Sequence, residues 1–255
     1  MGHLKTRGII LKELNTGEAD KIVTIFSRDA GKLTAVARSA KRPKSKLSAG
    51  TQFICYSDFV LFKGKNMYIL DSCELLEPFY EIRNDIVKLT YSAHFVDIVN
   101  DVIQENQPDK RVLELLLNSL YMLAKTDRLP ELIKCIFELR LLSIAGYAPF
   151  VQGCAICGKE EEDDVLFSFK KCGFICGSGE CMENDRHAME IEPGAAKAIR
   201  HIVRSGKEKL FNFNVSPKVL EELKKISSRY LREQLERDYN KLDFLKTFDD
   251  SDRSE

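Results

Sequence analysis

The sequence predicts an α+β chain of several domains: a small five-stranded β-barrel, then an α-helical bundle that carries a cysteine-rich insert. Three observations point there. Residues 1–80 hold five short runs rich in Val, Ile, Phe and Thr, punctuated by Gly17, Gly31, Gly50 and Gly64. Residues 83–146 change to apolar spacings of three and four. Five of the eight cysteines fall between positions 154 and 181. The chain has 255 residues, 44% hydrophobic and 31% charged, which excludes wholesale disorder, collagen-like repeats and a disulfide miniprotein.

The expected strands are TRGIILKEL (6–14), KIVTIFS (21–27), KLTAVAR (32–38), TQFICYSDFVLFK (51–63) and NMYILDSCEL (66–75). In the third, Leu33, Ala35 and Ala37 share one face. Five strands in so short a stretch read as a barrel, because closure removes unpaired sheet edges. Helices follow at 86–103, where Ile86, Leu89, Ala93, Val96, Val99 and Ile103 recur, then at 112–124 and 131–146. The regions of Pro108 and Pro130 break them, and Gly146 suits the last C-terminal cap. Beyond the cysteines, one helix covers 193–205, between Pro193 and Gly206. Another runs from Ser216-Pro217 to about Arg237, with Ser216 as its N-cap. Five segments result: 1–80 barrel, 81–150 bundle, 151–190 cysteine motif, 191–248 C-terminal helices packing with the bundle, and a disordered tail at 249–255. No run approaches the ~20 apolar residues of a membrane span, and the first fourteen residues hold no signal-peptide block, so a cytoplasmic location without membrane contact is expected.

Cys154-Ala-Ile-Cys157-Gly and Cys176-Gly-Ser-Gly-Glu-Cys181 are two short-spaced pairs with 18 residues between them. Clustered cysteines in a cytosolic chain are more often metal ligands than disulfides. This spacing matches one structural Zn²⁺ ion held by Cys154, Cys157, Cys176 and Cys181. Lys170 and Lys171 are expected to offset the excess negative charge of four thiolates. Cys172 and His187 are alternative ligands, and buried free thiols or redox cysteines are the competing readings. The acidic run 160–164 reads as a solvated loop between the pairs.

The net charge is zero, yet it is unevenly distributed: +5 over 1–80, −2 over 81–150, −5 over 151–190 and +2 over 191–255. No acidic residue occurs from Ala30 to Ser57, a stretch that holds Lys32, Arg38, Lys41, Arg42, Lys44 and Lys46. The core of this run, ARSAKRPKSK (37–46), reads as a loop on the barrel rim. Cations along a track are what backbone phosphates need, and small barrels of the oligonucleotide-binding type bind strands in such grooves. Phe26, Phe53, Tyr56, Phe59 and Tyr68 are stacking candidates, although strand aromatics usually face inward. An acidic protein or membrane surface is the competing partner for the run.

No P-loop, dinucleotide fingerprint, H-E-x-x-H or G-x-S-x-G motif is present, and His3, His94, His187 and His201 are scattered. No active site assembles from these residues, so a non-enzyme is expected.

Two stretches, TRGIILKELNTGEADKIVTIFSRDAGKLTAVARSAKRPKS (6–45) and FELRLLSIAGYAPFVQGCAICG (137–158), together with the second cysteine pair and the helices after it, carry a family resemblance. Over about residues 4–245 the chain resembles the bacterial RecO family of DNA repair and recombination proteins. The resemblance implies a recombination mediator without nucleotide hydrolysis. Such a protein binds single- and double-stranded DNA, anneals complementary strands and, with RecR, helps load RecA onto DNA coated by single-strand-binding protein. It implies RecR and the acidic tail of single-strand-binding protein as partners, with RecA engaged indirectly. The matching DNA-binding residues are Arg38, Lys41, Arg42, Lys44 and Lys46, with Lys32 on the preceding strand and Arg7 and Lys21 as extensions. Arg128, Lys134 or Arg140 would supply the cation for the acidic tail. The chain departs from the family in two places. Its second pair is Cys-x₄-Cys rather than Cys-x-x-Cys, and Ser39 stands where the loop usually has glycine. A zinc-ribbon transcription or RNA-binding factor is the alternative, and the −5 charge of 151–190 argues against it.

Overall fold

The computed structural model describes residues 3–160 and 165–245; positions 161–164 of the acidic run and the tail 249–255 lie outside the described residues. Five strands make the barrel: β1 (His3–Thr16), β2 (Asp20–Ser27), β3 (Gly31–Ala37), β4 (Tyr56–Lys63) and β5 (Tyr68–Glu77). They close in the order β1-β2-β3-β5-β4. Every pairing is antiparallel except β3 with β5, which run parallel over Ala35–Val36 and Tyr68–Ile69. This is a five-stranded barrel of the oligonucleotide-binding type. β1 is long because it serves two neighbours. Residues 3–9 pair with β4 and residues 8–16 with β2, and an irregularity at Ile10–Lys12 bends it between them. Alternate residues point inward, so Val23, Ile25, Leu33, Ala35, Ala37, Phe59 and Leu61 form the core.

The fourth strand begins at Tyr56, not at 51 as the apolar run suggests. Ile54 takes a left-handed conformation (φ 58°), and Ile54 and Cys55 exchange backbone hydrogen bonds with Ile10 outside the ladder. The first half of β3 has no β5 partner. There the chain after the second helix lies alongside: the Asn106 N–H donates to the Lys32 carbonyl at 3.0 Å. Gly31 (φ 69°) meets the Gln107 backbone so closely that a Cβ would lie 2.3 Å from its carbonyl oxygen.

Three helices complete this unit: α1 (Tyr80–Arg83), α2 (Ile86–Val102) and α3 (Lys110–Lys125). Asp85 and Asp109 cap α2 and α3, each accepting from two backbone N–H groups. Such caps contribute about 1 kcal/mol each. α3 buries one face and exposes Glu114, Asn118, Tyr121 and Lys125 on the other.

The second unit contains α4 (Pro130–Ile144), β6 (Val165–Ser168), β7 (Gly173–Cys176), α5 (Gly179–Asn184), β8 (Met189–Glu190), α6 (Pro193–Arg204) and α7 (Pro217–Leu235). α4 is buried continuously from Leu132 to Leu139 because α6 and α7 both pack on it. It ends at Gly146 (φ 97°), where the Tyr147 N–H turns back to the Leu142 carbonyl. Ser216 caps α7, accepting from the Val219 N–H. The three strands order as β7-β6-β8, and Phe167 packs edge-on against Phe169, Phe174 and Tyr230.

Residues 3–126 with 240–245 make one unit and 127–239 the other. The division falls inside the 81–150 stretch that reads as one bundle: α2 and α3 go with the barrel, and α4 with the C-terminal helices. The break is physical. A polar connection, Thr126–Leu129, separates α3 from Pro130, the first residue of an α4 that has no solvent face over two turns. No helix among the described residues is long and apolar enough to cross a membrane.

Candidate metal centre and nucleic-acid interface

The metal centre is built from three pieces of chain. After α4, the segment Cys154–Gly158 folds into a tight knuckle. The Ile156 and Cys157 N–H groups both donate to the Cys154 sulfur, at 3.4 and 3.5 Å, and Gly158 takes a left-handed turn (φ 76°). The Ala155 N–H ties the knuckle to β7 through the Phe174 carbonyl. Cys176 ends β7, and Cys181 sits on α5 five residues further on. The four sulfurs of Cys154, Cys157, Cys176 and Cys181 all lie within 4.8 Å of one another. Cys154–Cys181 and Cys157–Cys176 are each 3.7 Å apart. A tetrahedral ion with metal–sulfur bonds of ~2.3 Å needs sulfur–sulfur edges of about 3.8 Å, so this donor set fits a closed tetrathiolate site. Burial opposes ionisation of Cys154, but backbone N–H groups of Cys157, Cys176 and Ile156 outweigh it and pull the thiol down to about 6. Cys157 alone of the four is exposed.

The alternative ligands lie elsewhere. Cys172 occupies the β6–β7 turn in a left-handed conformation (φ 52°), and its sulfur accepts from the Gln234 amide. His187 is exposed and stands outside the four-thiol cluster. Lys170 and Lys171 sit at that same turn, the end of the hairpin away from Cys176, so they do not offset the thiolates as the sequence suggests. Backbone N–H groups and the Ser178 hydroxyl, 3.2 Å from the Cys176 sulfur, surround the thiols instead.

On the barrel, the basic run does form a surface loop between β3 and β4. It is not a loose arm. Ala40 and Leu47 insert into the barrel core on either side of Lys41, Arg42, Lys44 and Lys46. Successive turns link Arg42 to Ser39, Ser45 to Arg42 and Ser48 to Ser45. Arg38, Lys41, Arg42, Lys44 and Lys46 are all exposed and make no ion pair among the described residues.

The other three expected contacts are placed differently. The Lys32 ammonium donates to the Asn100 carbonyl at 2.9 Å and stands 3.7 Å from Glu105. Lys21 is 2.5 Å from Glu13, with its side chain 12% exposed. Arg7 pairs with Asp58 at 3.4 Å on the surface. Of the stacking candidates, Phe26 and Phe59 are fully buried, while Phe53, Tyr56 and Tyr68 are half-buried.

Sequence reasoning missed the groups that hold this loop. The Arg83 guanidinium donates to the Gln52 side chain, the Phe53 carbonyl and the Cys55 sulfur. Glu13 accepts from the Phe53 N–H at 3.0 Å. At the other end, Asp20 accepts from the Ser39 N–H at 2.7 Å. No motif marks these residues; each is an ordinary charge in the sequence.

In the second unit, Arg128 donates to the Phe213 carbonyl, and Arg140 donates to the carbonyls of Ile202 and Val203. Lys134 is buried, 2.9 Å from Glu138 and 2.6 Å from the Ser228 hydroxyl. Burial works against this ammonium, but Glu138 beside it prevails and its pKa is raised. All three cations expected to meet an acidic tail are therefore engaged internally.

Comparison with known proteins adds the lineage. Residues 1–79 match the family model for the recombination protein O N-terminal domain, and residues 83–243 match that for its C-terminal domain. A protein of Acetivibrio thermocellus named DNA repair protein RecO is 59% identical over 249 residues, 98% of each chain. Proteins of the same name from Alkaliphilus metalliredigens and Caldicellulosiruptor saccharolyticus are 34% and 35% identical over 95% and 96% of this chain, and over 98% and 99% of their own lengths.

Proposed function

The chain belongs to the RecO family of DNA repair proteins, and from that premise we propose that it is a recombination mediator that binds single- and double-stranded DNA on its barrel. The supporting observation is the loop of five exposed cations, Arg38, Lys41, Arg42, Lys44 and Lys46, held in turns on the barrel. Phosphates bound there release condensed counterions, so affinity depends steeply on salt. Neutralising phosphates on two strands also reduces their mutual repulsion, which favours annealing. In this reading the protein performs no catalytic step. With RecR it loads RecA onto DNA coated by single-strand-binding protein, working in the cytoplasm at the nucleoid. The acidic tail of single-strand-binding protein would use cations other than Arg128, Lys134 and Arg140, each of which already donates to a group of this chain. One Zn²⁺ ion held by Cys154, Cys157, Cys176 and Cys181 would be structural, since four thiolates leave no open position.

The test is binding to labelled single-stranded DNA across a salt series, with an Arg42→Ala/Lys44→Ala variant alongside. Losing two phosphate contacts should flatten the salt slope by about 1.4 for a single strand. A complementary strand added to the complex then reads out annealing. No binding at low salt would overturn the reading.

A further inference from the structure

We propose that Asp20 is a positioning residue for nucleic-acid binding, its carboxylate fixing the basic loop in the shape that presents its cations. The inference rests on the DNA-binding reading of that loop. Asp20 opens β2, directly after the turn from β1, and pairs with Thr16 in the ladder. It accepts from the Ser39 N–H at 2.7 Å, and the neighbouring Ala19 carbonyl accepts from the Lys41 N–H at 2.9 Å. Two consecutive residues of the hairpin thus hold two backbone donors of the loop. Between those donors, Ala40 is fully buried in the barrel.

Ser39 is held against its own preference. Its φ of 56° is a conformation that L side chains seldom adopt. The bond to Asp20 explains why it stays there. From Ser39 onward each turn is anchored on the one before: Arg42 to Ser39, Ser45 to Arg42, Ser48 to Ser45. The first tether therefore fixes the start of the segment that carries Lys41, Arg42, Lys44 and Lys46, whose far end Leu47 anchors. A loop ordered before binding loses less freedom when a strand docks, and that difference appears as affinity.

Charge alone argues the opposite effect. A carboxylate beside a phosphate track repels the ligand, and Lys21, the next residue, is occupied by Glu13. On charge, removing Asp20 should tighten binding. On position, it should weaken it. Asp20→Asn keeps the oxygen acceptor and drops the charge, whereas Asp20→Ala drops both.

The experiment measures full-length wild type, Asp20→Ala and Asp20→Asn against the same labelled single-stranded DNA over a salt series. The expected result is that Asp20→Ala binds about tenfold more weakly with a slope shallower by about one. Asp20→Asn is expected to bind at least as tightly as wild type. Equal or tighter binding by Asp20→Ala would overturn the inference and leave the DNA-binding reading standing. Failure of wild type to bind at low salt would instead overturn that reading. Should Asp20→Ala not fold, amide exchange in the wild-type protein decides: slow exchange at Ser39 and Lys41 supports the tether, and solvent-like exchange there overturns it.

Discussion

At Gly31 two constraints coincide. The backbone is left-handed, and the Gln107 carbonyl lies where a side chain would begin. Gly31→Ala should therefore cost about 3 kcal/mol, from conformational strain and from displaced backbone together. Gly17 provides the control. It is also left-handed (φ 55°) but has nothing within 4 Å of an added Cβ, so Gly17→Ala should cost only about 1 kcal/mol. Urea unfolding midpoints would separate the two. The sequence marks both positions as turns, and it cannot rank them, because the crowding at Gly31 comes from a residue 76 positions away. The same limit hid Arg83, Asp20 and Glu13. Asp20 and Glu13 hold the loop through backbone N–H groups, which every residue carries, and Arg83 reaches back to Gln52, Phe53 and Cys55 far earlier in the chain, so no residue type advertises the contact.

At the scale of elements, the cysteine module and the α4–α7 pair make separate predictions. Cys154, Cys157, Cys176 and Cys181 were legible from spacing, because short-spaced pairs need only a local turn to converge. Cys172 is equally close in sequence, but the hairpin turn carries it to the opposite end of β7. Metal analysis of the purified chain is accordingly expected to give one zinc per molecule, lost in Cys154→Ser and retained in Cys172→Ser. Chelation should increase amide exchange across 150–190 and leave the barrel strands protected. The second prediction concerns Lys134 and Glu138, one helical turn apart in buried α4. Lys134→Met takes the ammonium away from a buried carboxylate and should cost about 3–5 kcal/mol. Adding Glu138→Leu should recover most of that loss in thermal or urea unfolding, because an apolar pair needs no partner.

At the scale of the whole molecule, the barrel, the helices and the cysteine insert could be read from periodicity and spacing. The division into units could not. It depends on which helices pack together, and α2, α3 and α4 look alike as apolar runs. The sequence did foretell the uneven charge, and five of the cations in its basic stretch remain exposed and unpaired among the described residues. The other expected contacts, Lys32, Lys21 and Arg7, stand beside Asn100, Glu105, Glu13 and Asp58. The β3–β5 seam has a further consequence. Two residue pairs join these strands, and the Glu105–Gln107 segment covers the part of β3 they leave bare. An uncovered strand edge is a template for a second chain. The α2–α3 connection therefore guards against self-association: damage there would show first as sticky, aggregating protein, before any loss of the barrel itself.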